Sequence, residues 1–302
     1  MTELQATSAP VVGGSATVGE AVAAVARRLA AAAIGESRRE ARLLVALALD
    51  VEPGVVLGYP ERPLDATAQA RVAALTVRRA AGEPYSRLAG RRQFWSLDLA
   101  ISPDTLDPRP DSETLIEAAL ALLPDRAARL RILDFGTGSG CLLLALLSEL
   151  PNAIGVGIDI LPGAVVAARR NAAALGLAER ALFVVGDWDK TISGPADVIV
   201  ANPPYIPRAE IGGLAPEVAR YEPHAALDGG SDGLAAYREL APAVQRLLAA
   251  DGIALLEVGA GQHEAVARLL GDSGLALQCI KCDLSGVARC VVVRPGRALT
   301  GQ

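Results

Sequence analysis

Asn202-Pro203-Pro204-Tyr205 follows directly on the apolar run Val198-Ile199-Val200-Ala201, and its residue types suit chemistry at a planar nitrogen. Two consecutive prolines fix φ and remove two backbone N–H donors, so the turn is stiff and presents bare carbonyls. An amide or aromatic amine can donate to the carbonyl of Pro203. The Asn202 carboxamide oxygen offers a second acceptor, and Tyr205 an aromatic wall for a flat group. Such a turn would hold an NH2 group by its two hydrogens and leave the lone pair free. The competing reading is a plain strand-to-loop turn, since Asn-Pro is common turn chemistry.

A second cluster, Ile132-Leu133-Asp134-Phe135-Gly136-Thr137-Gly138-Ser139-Gly140, precedes the helical run Cys141–Leu147. Strand, glycine turn and helix follow in that order, and Gly136, Gly138 and Gly140 let a ligand approach where a Cβ would block it. Their GxGxG spacing differs from the GxGxxG of dinucleotide sites, and the Lys-Ser/Thr pair of a P-loop is missing. An apolar strand, Ala153–Ile158, then ends in Asp159, 19 residues after Gly140. A carboxylate there can take both hydroxyls of a ribose, or cap the helix expected over residues 162–175. A third strand, Ala181–Val185, runs into Gly186-Asp187-Trp188. An acid and an indole at a strand's carboxyl end suit a purine, while a lone Trp is otherwise core filling.

Glycine loop, ribose acid, base-binding pair and Asn202 turn all fall at the carboxyl ends of successive expected strands, where open α/β sheets bind ligands. On these residues the chain resembles the class I S-adenosylmethionine-dependent methyltransferases. The resemblance narrows with Gly82-Glu83-Pro84, Phe94-Trp95, Pro108–Thr114, Leu214–Val218, Glu222-Pro223, Ala226–Gly233 and Leu256-Glu257-Val258-Gly259, which are similar to the HemK/PrmC protein-glutamine N5-methyltransferases over roughly residues 80–295. It implies a Rossmann-like methyltransferase sheet whose seventh strand is antiparallel, and S-adenosyl-L-methionine as cofactor. The implied substrate is the glutamine of the Gly-Gly-Gln motif in peptide-chain release factors. The cofactor would lie on Gly136, Thr137, Gly138, Ser139, Gly140, Asp159, Asp187, Trp188 and Asn202. The glutamine would lie on Asn202, Pro203, Pro204 and Tyr205, with Asn202, Pro203 and Tyr205 carrying catalysis.

Departures from the family pattern are few. Asp107 stands where an aliphatic residue is usual, Ser112 where Thr or Glu is usual, and Tyr85-Ser86 replaces a smaller pair. These bear on the docking surface. Phe135 is a conservative change under the glycine loop. Pro110 stands where the related enzymes acting on a large-subunit ribosomal protein usually carry Ser, which favours release factor. A ribosomal-protein glutamine methyltransferase and a nucleic-acid amine methyltransferase (adenine N6 or guanine N2) are the alternatives. A nucleotide-dependent oxidoreductase is weakened by the glycine spacing, and a noncatalytic S-adenosylmethionine-binding adaptor by the intact Asn202 turn.

At 302 residues and 51% hydrophobic content the chain supports a sizeable core and more than one domain. A net charge of −5 argues against an enzyme that relies on nonspecific phosphate contacts, so no direct nucleic-acid partner is expected. Only two His and one Met are present, and no metal site is expected. No basic flank with an apolar core opens the chain, and apolar runs are too short to span a bilayer, so a cytoplasmic protein with no membrane partner is expected. Family members imply a monomer. Cys279-Ile280-Lys281-Cys282 lacks a second ligand pair and lies in a late strand, so Cys141, Cys279, Cys282 and Cys290 read as buried reduced thiols. His263 reads as a surface residue, and His224 either approaches the substrate or is structural.

Four segments are expected: a flexible N-terminus over 1–14, a helical substrate-recognition domain over 15–85, a β-hairpin linker over 86–108, and the methyltransferase domain over 109–297. Apolar residues recur at helical spacing in Val18–Ala33, Arg38–Ala48 and Ala66–Ala80, and Arg27-Arg28 with Arg38-Arg39 read as a solvated face. Arg92–Ile101 partly alternates, as a hairpin does. Further strands are expected near Ala254–Val258, Leu275–Cys282 and Cys290–Val293, giving an α/β fold with a mostly parallel sheet covered on both faces.

Overall fold

The computed structural model describes residues 16–188, 190 and 192–296, so the flexible segment expected over 1–14 lies outside the described residues. The chain divides into two compact units, Met1–Ala89 and Gly90–Gln302. In the first, helices α1 (Val18–Ala31), α2 (Ser37–Leu49), α3 (Pro53–Gly58), α4 (Ala66–Ala80) and α5 (Tyr85–Ala89) follow one another. Thr17 starts α1 with a reciprocal capping box to Glu20, and Asp65 accepts from the Ala68 N–H to start α4. Their apolar faces meet in a core that includes Val25, Leu29, Leu44, Val45 and Val72. Arg79, buried in that core, donates to Glu40 at 2.8 Å. Arg27, Arg28, Arg38 and Arg39 are exposed, as a solvated face requires.

The second unit opens with an antiparallel hairpin, β1 (Arg91–Phe94) and β2 (Leu97–Ala100). It is shorter than the linker expected over 86–108, because Pro84 at the head of Tyr85–Ala89 starts a helical turn there instead. After α6 (Glu113–Leu122), strands and helices alternate as β3 (Arg131–Phe135), α7 (Cys141–Glu149), β4 (Ile154–Asp159), α8 (Pro162–Ala174), β5 (Ala181–Val185) and β6 (Ala196–Ala201). The chain continues through a short α9 (Pro216–Tyr221), then α10 (Ala235–Leu247), β7 (Leu248–Glu257), α11 (His263–Asp272), β8 (Leu275–Cys282) and β9 (Ala288–Pro295).

Seven of these strands form one sheet in the order β5-β4-β3-β6-β7-β9-β8. Only β9 runs antiparallel to its neighbours, the arrangement that the resemblance implies. Near-continuous apolar strands such as Ile132–Phe135 and Val198–Ala201 suit a sheet buried on both faces. One face packs under α6, α7 and α8 together with Phe94, Leu97 and Leu99 of the hairpin, and the other under α10 and α11. The chain winds outward from β3 through β4 to β5 and then returns to β6 on the opposite side of β3. That reversal opens a crevice at the carboxyl ends of β3 and β6. Among the described residues no helix is long and apolar enough to cross a membrane.

Candidate active site

Strand register brings the chemistry-bearing residues together. Phe135 pairs with Ala201, so Gly136 and Asn202 leave adjacent strands side by side. Asp159 pairs with Val185, which sets the acid beside Gly186-Asp187. Ala201 pairs with Leu256, so Glu257 ends its strand next to Asn202. The backbone of Gly136 and the side chains of Asp159, Asp187, Asn202 and Glu257 thus come together at the tips of parallel strands.

The glycine loop turns through positive φ at Gly136 (69°), Gly138 (54°) and Gly140 (83°), conformations that a Cβ would strain. It is pinned below by the Thr137 N–H donating to the Ile158 carbonyl at 2.9 Å, and by the Thr137 hydroxyl donating to Asp134 Oδ2 at 2.6 Å. This close fit requires Gly157 in β4, where a Cβ would come within 2.6 Å of Thr137 Oγ1 and of Phe183. Asn171, buried in α8, accepts from the Ala100 N–H and donates to the carbonyls of Ala100 and Ser139, tying hairpin and glycine loop to one helix.

Above the loop lies a cavity of about 280 Å³, close to the lower end of ordinary small-ligand pockets at about 300 Å³. Gly136, Thr137, Gly138, Ser139, Asp159, Asp187, Trp188, Asn202 and Pro204 all line it. Gly140, Pro203 and Tyr205 do not. Gly140 sits beneath, starting α7; Pro203 is buried behind Asn202; and the Tyr205 hydroxyl reaches away to Glu257 Oε1 at 3.5 Å. The strap carrying Asp104, Leu106, Pro108 and Arg109 adds a wall from the other side, with Ala225, Ala226 and Glu239.

Asp159 uses one carboxylate oxygen on the Gly138 N–H (2.8 Å) and the other on the Leu161 N–H (2.9 Å). It is not the cap of α8, whose first flanking residue is Leu161, but bends the chain into it. Burial raises its pKa against those two hydrogen bonds. Asp187 is paired with Lys190. Trp188 turns an edge toward Phe135, ring centroids 6.3 Å apart, and donates its indole N–H to Glu239 at 2.7 Å. The indole N–H is thus taken up by Glu239, which lines the cavity beside it.

Two deeply buried carboxylates lie beneath these groups. Burial pushes Asp134 up to about 7, against its Thr137 hydrogen bond. Glu257 is pushed up to about 7 by burial too, opposed by Ser112 and Arg289. Asn202 donates through Nδ2 to Ser112 Oγ at 3.1 Å, which leaves its carbonyl oxygen as an acceptor. Across the cavity mouth, Glu222 accepts from Arg109 at 2.7 Å and from the Asp107 N–H at 3.1 Å, fastening the strap to the chain after α9. The Asp107 side chain is buried toward Arg92, 3.6 Å away, so this departure from the family pattern is internal rather than part of a docking surface.

Sequence reasoning missed Ser112, Asn171, Glu222, Glu239 and Glu257 as site-shaping residues. Glu257 carried a signal, a single charge closing an apolar strand, and Asn171 none beyond a polar residue among alanines. Two further expectations need correction. Of the four thiols only Cys290 is fully buried, and Cys282 is exposed because the edge strand β8 turns it outward. His263 is half-buried, with a buried Nδ1 at the start of α11, rather than a surface residue. His224 is exposed, near Asp228. Among the described residues no group of three or more His, Cys, Asp or Glu has the geometry to hold a metal.

Residues 20–90 match the PrmC N-terminal domain and residues 102–217 the methyltransferase small domain. A release factor glutamine methyltransferase of Rhodospirillum rubrum is 54% identical over 267 residues, covering 88% of this chain and 82% of that protein. Proteins of the same description from Bradyrhizobium diazoefficiens and Cereibacter sphaeroides are 44% and 43% identical, covering 89% and 91% of this chain and 92% and 97% of theirs. Identity this high across so much of each protein means that the chain belongs to the release factor glutamine methyltransferase family and is an enzyme that methylates protein glutamine.

Proposed function

We propose that the enzyme moves the methyl group of S-adenosylmethionine to the side-chain nitrogen, N5, of the glutamine in the Gly-Gly-Gln motif of peptide-chain release factors. One observation carries the reading: the β3–β6 register sets the stiff Asn202-Pro203-Pro204 turn beside the glycine loop, with Asn202 and Pro204 on the rim of one cavity. The relatives' descriptions supply the protein substrate.

The cavity residues fit the donor. Gly138 has no atom within 4 Å of a would-be Cβ, so the loop is open to close approach. Ser139 lines the cavity with a buried hydroxyl, whose neighbour is the Cys141 thiol. In this reading the glycine loop takes the methionine moiety, Asp159 the ribose hydroxyls through its remaining lone pairs, and Asp187 with the Trp188 face the adenine. Buried carboxylates at Asp134 and Asp159 favour a cationic ligand. Bound there, S-adenosylmethionine supplies a methyl made electrophilic by its sulfonium.

An amide nitrogen is a poor nucleophile because its lone pair is delocalised into the carbonyl, so positioning must supply much of the rate. Near-attack alignment is worth roughly 7–11 kcal/mol in favourable systems. The Asn202 carboxamide oxygen and the Pro203 carbonyl would accept the two amide hydrogens, turning the lone pair toward the methyl and favouring the positive charge that develops on nitrogen. Transfer of the methyl, with S-adenosylhomocysteine as the leaving thioether, would make that nitrogen acidic, and it would release one proton to water, so no strong base is needed beforehand.

The test is transfer of labelled methyl from S-adenosylmethionine to purified release factor, run beside a release factor with the Gly-Gly-Gln glutamine replaced, ribosomal protein, tRNA and DNA. Label on the intact release factor alone is the expected result. Label on nucleic acid or ribosomal protein would replace the substrate while keeping the amine grip.

A further inference from the structure

Asn202 has a carboxamide whose two ends are nearly equal in shape and opposite in hydrogen bonding. Only one orientation suits an incoming amide, with the oxygen toward the substrate and the nitrogen toward the protein. Something must select it. The nitrogen meets Ser112 Oγ at 3.1 Å, but a hydroxyl can accept or donate and does not by itself decide. Beyond Ser112 stands the Glu257 carboxylate, 1% exposed, with Oε1 taking the Tyr205 hydroxyl and Oε2 fully buried, and hydrogen bonding from the Ser112 side chain holds its pKa down against burial. An ionised carboxylate only accepts. If Ser112 gives its proton to Glu257, its oxygen is left as an acceptor, and the Asn202 nitrogen must then turn toward it.

We infer that Glu257 and Ser112 form a positioning relay that fixes the Asn202 carboxamide with its oxygen toward the substrate amide. The inference rests on the reading above that Asn202 Oδ1 accepts from that amide. The relay is built on rigid parts. Glu257 ends the interior strand β7, paired with Cys290 of β9, and Ser112 lies in the short turn Pro110–Ser112 that starts α6. The Tyr237 hydroxyl, from α10, donates to the Glu257 backbone carbonyl at 2.7 Å and holds that strand end in place. Charged and titratable neighbours of the carboxylate are Arg289 and Cys290 of β9, Asp111, Tyr205, Tyr237 of α10 and Cys141 of α7. Burial pushes the carboxyl up to about 7 against Ser112 and Arg289, so the ionised, accept-only form prevails above that pH, while Tyr205 and Cys141 are both held near 12 and stay neutral. Neither Ser112 nor Glu257 needs to touch the substrate for this.

The decisive experiment is a double-mutant cycle on turnover at saturating cofactor and release factor. Ser112→Ala should lower kcat by roughly tenfold, about the worth of one buried hydrogen bond, with cofactor KM nearly unchanged. Ser112→Thr, which keeps the hydroxyl, should recover most of that loss, and Glu257→Gln should fall between wild type and Ser112→Ala. In an Asn202→Ala background neither Ser112→Ala nor Glu257→Gln should cost anything further, because the relay acts only through the missing carboxamide. Full turnover in Ser112→Ala, or the same fold-loss with and without Asn202, would overturn the relay. Should Asn202→Ala itself retain turnover, the fault lies in the underlying role of Asn202 and the relay falls with it. Loss in Asn202→Ala with none in Ser112→Ala removes the relay alone.

Discussion

Replacing Glu257 by Gln should stabilise the fold increasingly as the pH rises, an effect opposite to its cost in turnover. In the folded protein burial pushes this carboxyl from its ordinary 4.5 up to about 7. Below about pH 4.5 the group is protonated folded or unfolded and imposes no penalty. Between 4.5 and 7 the unfolded chain releases a proton that the fold retains, so the free energy of unfolding falls as pH rises; above 7 the penalty is complete. At 1.36 kcal/mol per pH unit it amounts to about 3 kcal/mol. Glutamine does not titrate and escapes it. For a unit of the size of Gly90–Gln302, that is a gap in Tm on the order of 5–10 °C above pH 8 that closes below pH 5. The assay is a set of thermal melts of wild type and Glu257→Gln from pH 5 to 9. Any hydrogen bonds gained or lost by the new amide are independent of pH, so the change in the gap carries the test rather than its size at one pH. Asp134 is raised to about 7 as well, but it is present in both proteins and cancels. A gap that is constant with pH, or that narrows as pH rises, would refute the burial argument.

Other consequences follow from single contacts. Asn202→Ala should lower turnover by on the order of 10²-fold, as losing one preorganised polar group does, with a smaller change in cofactor affinity; steady-state kinetics and cofactor titration check both. Asp159→Ala removes the acceptor that pins Gly138 and Leu161, and calorimetry should show cofactor binding weakened by about tenfold or more. In Gly157→Ala the new methyl would meet Phe183 and Thr137 at 2.6 Å, both inside the core, so overpacking should cost about 1–3 kcal/mol in denaturant unfolding.

Much of this site was legible because its signals are local. Glycines at 136, 138 and 140, an acid closing the next strand and two prolines after an asparagine each announce a turn at a strand's carboxyl end, and the α/β alternation says that those ends converge. What was not legible depends on register. No pattern in the sequence shows that Ala201 pairs with Leu256, and hence that Glu257 stands behind Asn202. Nor does any pattern show that Glu222 would reach back 113 residues to Arg109. The linker expected over 86–108 begins too early for a local reason: alternation covers only Arg92–Ile101, and Pro84 starts a short helix over Tyr85–Ala89. Tyr205 illustrates the limit of reading a tetrapeptide as a unit. Its residue type suits an aromatic wall, yet it packs against the core on the α10 side of the sheet, and its hydroxyl is spent on Glu257.

The central claim is that a glutamine side-chain nitrogen, held by the Asn202 turn, takes the methyl. Tandem mass spectrometry of release factor after incubation with the enzyme and S-adenosylmethionine tests it most directly, by locating the added methyl along the peptide and on the side chain. The account predicts one methyl on the side-chain amide of the Gly-Gly-Gln glutamine with wild-type enzyme, and almost none with Asn202→Ala over the same time. A methyl on another residue, or equal modification by the two enzymes, would contradict it.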